Sequence, residues 1–399
     1  MTEVFSKALN KSIDIDRIIG HIKGSHSGPT LVFMGGVHGN EPAGVFALHH
    51  VFKRLSRDNV KIKGSIYGIS GNLKALARGI RYTSKDLNRL WSHEQIKRLE
   101  NGQSQAAKED VLEQIEIWHL INKIGELDKP PFYFFDLHTT SCQTIPFLTV
   151  NDTILNRKYT SQYPVPMILG IEEYLHGPLL SYINELGYVA FGFEGGQHDD
   201  ETAILNHEAF IYLTLLFTGC IDKEMIDYPK YAEQLSGNIP DMKKFYEIIY
   251  RHEVQPGEHY EMEPGFINFT PVKKGTHLAL SNGKLIKAIR NGRVFMPLYQ
   301  NMGDDGFFII RSIPKFFLTL SSWMRKLKLD QLLVMMPGIS WASNKKSALI
   351  VNTHIARFMA KEFFHLLGYR SITYDKTHLI MKKREAASKN RMYEKEPWY

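Results

Sequence analysis

The chain has 399 residues, 43% hydrophobic and 23% charged, which calls for about two domains with sizeable cores and excludes both a single small module and bulk disorder. The net charge of +7 is lopsided: Pro314 to Tyr399 holds 16 Lys and Arg against 6 Asp and Glu, so the body before it carries −3 and offers no basic groove for nucleic acid. Two cysteines, Cys142 and Cys220, are too few for a disulfide framework or a thiolate site, leaving any metal to His and carboxylate.

Met1 to Asn10 lacks the basic start and apolar run of a signal peptide, and no stretch approaches 18 uncharged apolar residues, so a cytoplasmic protein is expected. Thr30 to Met34 reads as a strand, followed by Val45, Leu48, Phe52 and Leu55 at helical spacing. Further strands are predicted at Gly64–Ile69, Phe132–Leu137 and Tyr188–Phe193, with helices near 104–125, 170–186 and 203–218. Apolar runs alternating with helices imply a largely parallel sheet buried on both faces, and ligands gather at the C-terminal ends of such strands.

From about Tyr231 the pattern turns to short strands. Lys284–Arg290 and Arg293–Met296 flank Asn291-Gly292, which predicts a hairpin with a type I′ turn there. The β-rich stretch ends near Arg311. Helical patterns follow at Phe316–Leu329 and Ile355–Leu367, then a charged end expected to fray after Lys382. The expected units are a catalytic domain over 1–230, a β-rich domain over 231–313 and a basic extension over 314–399. Within the extension, Phe316, Leu320, Trp323 and Leu327 form an apolar stripe at i, i+4, i+7 and i+11. Packing on the body is its expected role, and attachment to a membrane surface the weaker reading.

The sharpest chemical signal is Gly35-Gly-Val-His-Gly-Asn-Glu41, where a strand gives way to a helix. His38 and Glu41 are candidate metal ligands at the sheet edge, with the glycines turning the chain and Asn40 expected to cap the helix. The spacing alone is weak, since a second His-x-x-Glu occurs at His198 and Glu201, and an incidental His in a surface turn remains open. A zinc site with three protein ligands and an open position needs one more, and His138 at the next strand end offers it. Asp136 shares its face and can hold the imidazole nitrogen turned away from the metal. Glu194, ending the following strand, is the candidate general base, with Glu201 the substitute. Arg81 to Arg89 supplies two guanidinium groups and an amide: Arg89 with Asn88 for a carboxylate, Arg81 for an oxyanion, or merely surface salt bridges.

Taken in order, G-G-V-H-G-N-E at 35–41, Asn72, R-Y-x-x-x-D-L-N-R at 81–89, D-L-H at 136–138 and F-E-G-G at 193–196 resemble the aspartoacylase and succinylglutamate desuccinylase family of zinc carboxypeptidase-like hydrolases. The resemblance covers most of residues 1–311. It implies an α/β fold with a mixed, mostly parallel sheet flanked by helices, a smaller β-rich C-terminal domain, and beyond them this chain's own basic, partly helical tail. It also implies one Zn2+ on His38, Glu41 and His138, catalysis by Glu194 and Arg81, and substrate binding by Asn88, Arg89, Asn72 and, from the β-rich segment, Tyr299. The expected reaction is hydrolysis of an amide or ester in a small anionic substrate, such as an N-acyl amino acid, by metal-activated water. The alternatives are a carboxypeptidase acting on peptide or peptidoglycan fragments, or a non-catalytic metal-binding protein.

Overall fold

In the computed structural model, residues 1–102, 108–237, 244–352, 354–355, 361–373 and 378–399 are described. The expected helices at 104–125 and 355–367 begin partly outside them; those observed are Glu109–Leu127 and Lys361–Leu366. Around the site the apolar runs form the predicted strands. His26–Gly35, Lys63–Ser70, Phe132–Thr140 and Val189–Gln197 lie parallel and adjacent toward one edge of an 11-stranded mixed sheet. Their residues alternate between two cores. Leu31, Phe33, Tyr133, Phe135, Phe191 and Phe193 pack toward the helices Ala43–Arg57 and Glu201–Phe217, while Val32, Met34, Phe132 and Phe134 pack on the other face with Ile117, Ile121 and Ile183. Burial on both faces is what made these strands readable as continuous apolar runs.

The strand Val189–Gln197 pairs antiparallel with Phe147–Val150, and the sheet continues through Met167–Leu169, Phe245–Glu253, Asp305–Ser312, Gly292–Phe295 and Pro271–Val272. Part of the β-rich region therefore extends the same sheet, while Tyr260–Met262, His277–Ser281 and Lys284–Lys287 form a sheet of their own. The expected helix at 170–186 is instead a short turn at Ile171–Glu173 and the helix Leu179–Glu185. Gly170 and Gly177 sit at positive φ on either side of that turn, where an α-helix cannot run through.

The predicted hairpin is displaced. The tight turn sits at Asn282-Gly283, with φ of 48° and 75°, between His277–Ser281 and Lys284–Lys287, which pair Ser281 to Lys284. Gly292 has no positive φ; it opens a strand of the large sheet, and Asn291 Oδ1 accepts from the Lys274 amide at 2.8 Å. The two sides of Asn291 thus belong to different sheets.

Residues 314–399 also depart from expectation. They build a four-stranded antiparallel sheet from Ile339–Trp341, Ala348–Asn352, His378–Lys383 and Tyr369–Thr373, over a core of Leu333, Leu349, Tyr369 and Met381. The chain end does not fray. Tyr393 is fully buried, its hydroxyl accepting from the Val189 amide and donating to the Phe132 carbonyl, and Trp398 Nε1 donates to Tyr133 Oη at 2.9 Å. The helix Lys315–Lys326 packs on the body with the face opposite to the one expected. Ser321 and Arg325 are buried, while Phe316, Trp323 and Leu327 are exposed. Arg325 bonds Asp152 Oδ2 and Glu385 Oε1 at 3.0 Å, and Asp152 also receives Arg157 and Arg384. The Asp152 carboxyl is held well below its usual range: burial opposes ionisation, but the three guanidinium groups outweigh it.

Removing one member of a buried ion cluster leaves the others uncompensated, at about 3 kcal/mol or more. Arg325→Met should therefore lower stability by that amount in urea unfolding and expose residues 314–399 to protease first. Unchanged stability and cleavage would mean that Arg325 does not tie this unit to the body.

Candidate functional site

The strand His26–Gly35 ends beside Phe132–Thr140, with Gly35 opposite Leu137, so the turn at 36–42 emerges next to His138. Gly36 turns at φ +73°, and a Cβ there would meet Leu76 and Val45 at 2.8–2.9 Å. Gly39 lies so close to the short helix Leu73–Arg78 that a Cβ would fall 2.1 Å from the Ala75 carbonyl carbon. These contacts press the turn inward and leave His38 and Glu41 buried. The helix that follows runs Ala43–Arg57 from Pro42 without a side-chain cap. Asn40 does not cap it; its Nδ2 donates to Gln300 Oε1 at 3.0 Å.

His38, Glu41 and His138 present ligand atoms within 4.8 Å of one another. His38 Nδ1 lies 2.8 Å from Glu41 Oε1 and His138 Nδ1 lies 3.0 Å from Glu41 Oε2, which also accepts from the Thr139 amide at 3.0 Å. The second nitrogen of each ring faces another carboxylate: His38 Nε2 is 3.1 Å from Asp86 Oδ1, and His138 Nε2 is 2.7 Å from Asp136 Oδ2. Carboxylates behind both imidazoles and a third carboxylate between them are the donor set and outer support of a metal site built from two histidines and a carboxylate, so these residues can hold a divalent ion. Burial opposes the charge on Glu41, yet His38 and His138 hold its carboxyl well below the usual range. His138 is raised well above its usual value because Asp136 and Glu41 overcome burial.

Arg81 closes the ring, one terminal nitrogen 3.3 Å from Glu41 Oε1 and the other 3.3 Å from Asp86 Oδ2. Glu194 stands opposite His138 in the neighbouring strand. Its Oε2 is buried without a hydrogen-bond partner. Burial, against the charge of His138 and helped by the Glu41 and Asp136 carboxylates, pushes the Glu194 carboxyl up to about 8. Glu201, the substitute base, is exposed in the first turn of the helix Glu201–Phe217 and does not line the cavity.

A cavity of about 130 Å³ gathers His38, Glu41, Arg81, Asn88, Arg89, His138 and Glu194, seven of the nine predicted site residues. Asn88 Oδ1 accepts from the Leu179 amide at 3.0 Å, and Arg89 donates to Asp305 Oδ2 at 3.0 Å. The structure does not bring Asn72 and Tyr299 to the cavity wall. The Tyr299 hydroxyl points to the Glu263 carbonyl and the Phe266 amide. Asn72 is buried behind the site, its Oδ1 accepting from the Ala75 amide at 3.1 Å and its Nδ2 donating to Asp110 Oδ1 at 2.8 Å.

Sequence reasoning missed what holds this frame. Asp110 accepts from the amides of Thr83, Ser84 and Lys85 and from the Thr83 and Ser84 hydroxyls, fixing the loop that carries Arg81 to Arg89. His198 also lines the cavity, its Nδ1 2.8 Å from Thr139 Oγ1 and its Nε2 3.1 Å from Gln300 Oε1. Its signal was the second His-x-x-Glu, of which only the His faces the site. Asp304, Asp305 and Gln300 reach the cavity from the β-rich region with no motif to mark them.

Residues 27–202 match the model of the succinylglutamate desuccinylase/aspartoacylase catalytic domain. A succinylglutamate desuccinylase of Pseudomonas syringae pv. tomato is 32% identical over 114 residues, 28% of this chain and 31% of that protein. One of Pseudomonas fluorescens SBW25 is 30% identical over 113 residues, with 28% and 31% covered. The match thus spans about a third of the length of these relatives. The solved succinylglutamate desuccinylase of Vibrio parahaemolyticus shares the fold with a TM-score of 0.54 at 12% identity, over 77% of this chain and 95% of that one. The product-bound ectoine utilization protein of Ruegeria pomeroyi does so at 0.52 and 18%, over 73% and 87%.

Asp110 is held low because the amides of Thr83 and Lys85 and the Asn72 side chain outweigh the opposing effect of burial. A carboxylate whose folded pKa lies below its unfolded one stabilises fully above the ordinary carboxylate range and loses that contribution as pH falls toward the folded value. Asp110→Asn should cost about 2 kcal/mol at neutral pH, less in acid, and speed hydrogen exchange of the Thr83, Ser84 and Lys85 amides. Unaltered exchange at those three amides would show that the loop is held otherwise.

Proposed function

We propose that the chain is a zinc-dependent hydrolase cleaving an amide, or an ester, in a small carboxylate-bearing substrate such as an N-acyl amino acid, a reading supported by the match of residues 27–202 to the succinylglutamate desuccinylase/aspartoacylase catalytic domain. The observation that carries this reading is Glu194 Oε2, a buried carboxyl oxygen without a hydrogen-bond partner, in the cavity shared by His38, Glu41 and His138. Two imidazoles and a carboxylate favour zinc over the all-oxygen cations, magnesium and calcium. When bound by these three residues, the ion supplies Lewis acidity for water and for the acyl carbonyl.

The chain's own groups do the rest. Glu194 takes a proton from the attacking water and returns it to the leaving amine or alcohol, and its buried Oε2 has no other hydrogen-bond partner competing for that proton. Arg81, oriented by Asp86 and Glu41, stabilises the developing oxyanion. Asn88 and Arg89 hold the substrate carboxylate, which shares the Arg89 fork with Asp305. The small cavity, walled by Pro297, Leu298 and Phe308, favours a compact substrate over a peptide. The names of the relatives point to succinylglutamate as the first substrate to try.

Elemental analysis of folded protein should find one zinc per chain in the wild type and an emptied site in His38→Ala and His138→Ala. Glu194→Gln should keep the metal while losing on the order of 10²-fold or more in turnover of N-acyl amino acids. Full occupancy in both His variants, or near-normal turnover in the Gln variant, would overturn the assignment.

Arg89→Lys keeps the charge and loses the planar fork, so kcat/KM should fall by about 10-fold or more, roughly 1.4 kcal/mol of transition-state binding. Amidating the substrate carboxylate should be at least as damaging. Equal hydrolysis of free acid and amide would remove Arg89 from substrate recognition.

A further inference from the structure

The helix Lys315–Lys326 is amphipathic with its apolar side turned to water. Phe316, Trp323 and Leu327 are 68%, 57% and 53% exposed, and just beyond them Leu332 and Met335 are 58% and 80% exposed. This orientation is fixed from within. Ser321 Oγ donates to the Leu366 carbonyl at 2.8 Å, and Arg325 is spent on Asp152, Glu385 and the His365 carbonyl. Rolling the helix to bury the stripe would break that cluster and strand a buried guanidinium.

Along the segment that carries the stripe the exposed charges have one sign. Between Pro314 and Ser347 the exposed charged side chains are Lys315, Lys326, Lys328, Lys345 and Lys346; the two other charged residues, Arg325 and Asp330, are buried and paired. A second copy seated face to face would bring lysines against lysines with no exposed acid on the segment to meet them. Aromatic and aliphatic side chains among lysines match instead the interface of a lipid bilayer with anionic headgroups.

We propose that the outward face of 315–336 seats this protein on an anionic membrane surface, with Phe316, Trp323, Leu327, Leu332 and Met335 entering the headgroup region and the lysines pairing with the lipid charges. No described helix is long and apolar enough to cross a membrane, so the contact is peripheral.

The test is co-sedimentation of the full chain with vesicles of two parts phosphatidylcholine to one part phosphatidylserine, beside vesicles of phosphatidylcholine alone. The wild type should pellet with the anionic vesicles, stay largely in solution with the neutral ones, and be released by salt. Phe316→Ser with Trp323→Ser should abolish pelleting while the circular dichroism and melting curve stay unchanged. Lys326→Glu with Lys328→Glu should cut it by on the order of 10-fold or more, since each nearby charge is reversed. A wild type left in solution with anionic vesicles at low salt overturns the proposal, as does undiminished pelleting of both double variants. A wild type that is a dimer in light scattering, becomes a monomer in the Ser variant and never pellets overturns it in favour of self-association.

Discussion

A carboxylate in an interior that excludes water is stable only if cations and donors surround it, and Glu41, 2% exposed, sets that requirement for the whole site. It is met from three parts of the fold: His38 on the same turn, His138 and the Thr139 amide on the adjacent strand, and Arg81 on a separate loop. His138 and the Thr139 amide reach Glu41 only because parallel strands place their C-terminal ends side by side. The glycines of the turn serve the same end, because a Cβ at Gly39 would hold the turn away from Ala75 and lift Glu41 out of its ring of partners.

Charge alternates outward from Glu41. His38 and His138 meet it on their inner nitrogens, Asp86 and Asp136 back them, and Arg81 spans Glu41 and Asp86. Each group is thereby oriented by an opposite charge, the condition under which a buried polar cluster rigidifies instead of destabilising. Glu194 stands outside the alternation, with no hydrogen-bond partner at Oε2, and burial pushes its carboxyl toward protonation. Behind the ring, Asp110 and Asn72 work on backbone amides and touch nothing in the cavity. They position the loop of Arg81 and Arg89 as a frame positions a hinge.

What the sequence made legible follows from how local each signal is. Strands buried on both faces are continuous apolar runs, and the turn at 35–41 carries its glycines and ligands within seven residues. The His138 and Glu194 strand ends could be read for the same reason. Roles set by tertiary partners were not legible. Asn72 occurs among residues that do reach the site, yet its side chain caps the helix Leu73–Arg78 through the Ala75 amide and donates to Asp110, 38 positions away. Two Asn-Gly pairs lie close together in the chain, and both satisfy the chemistry of a type I′ turn. Only strand pairing selects Asn282-Gly283, since the chain changes sheets at the other. Tyr299 was placed by its neighbourhood in the chain, but its hydroxyl is taken by backbone groups at 263 and 266.

The C-terminal unit shows the limit of periodicity most clearly. An apolar stripe on a helix predicts burial when hydrophobic transfer is the strongest driving force at hand, at about 0.8 kcal/mol per buried methylene. Here a competing interaction lies on the opposite face of the same helix, because Arg325 pairs with Asp152, a carboxylate that the body has already buried. A carboxylate left unpaired inside a protein costs several kcal/mol, more than the gain from partly covering a few side chains that can remain at the surface. The helix therefore docks by its charge, and its apolar side faces outward as a consequence. The charge imbalance between body and extension has the same origin in part. Asp152, Glu172 and Glu173 belong to the body and are answered by Arg325 and Arg384 from beyond residue 314. Some of the basic excess is thus internal, joining the two parts of the chain, and the lysines outside that joint are the share left to act on the surroundings.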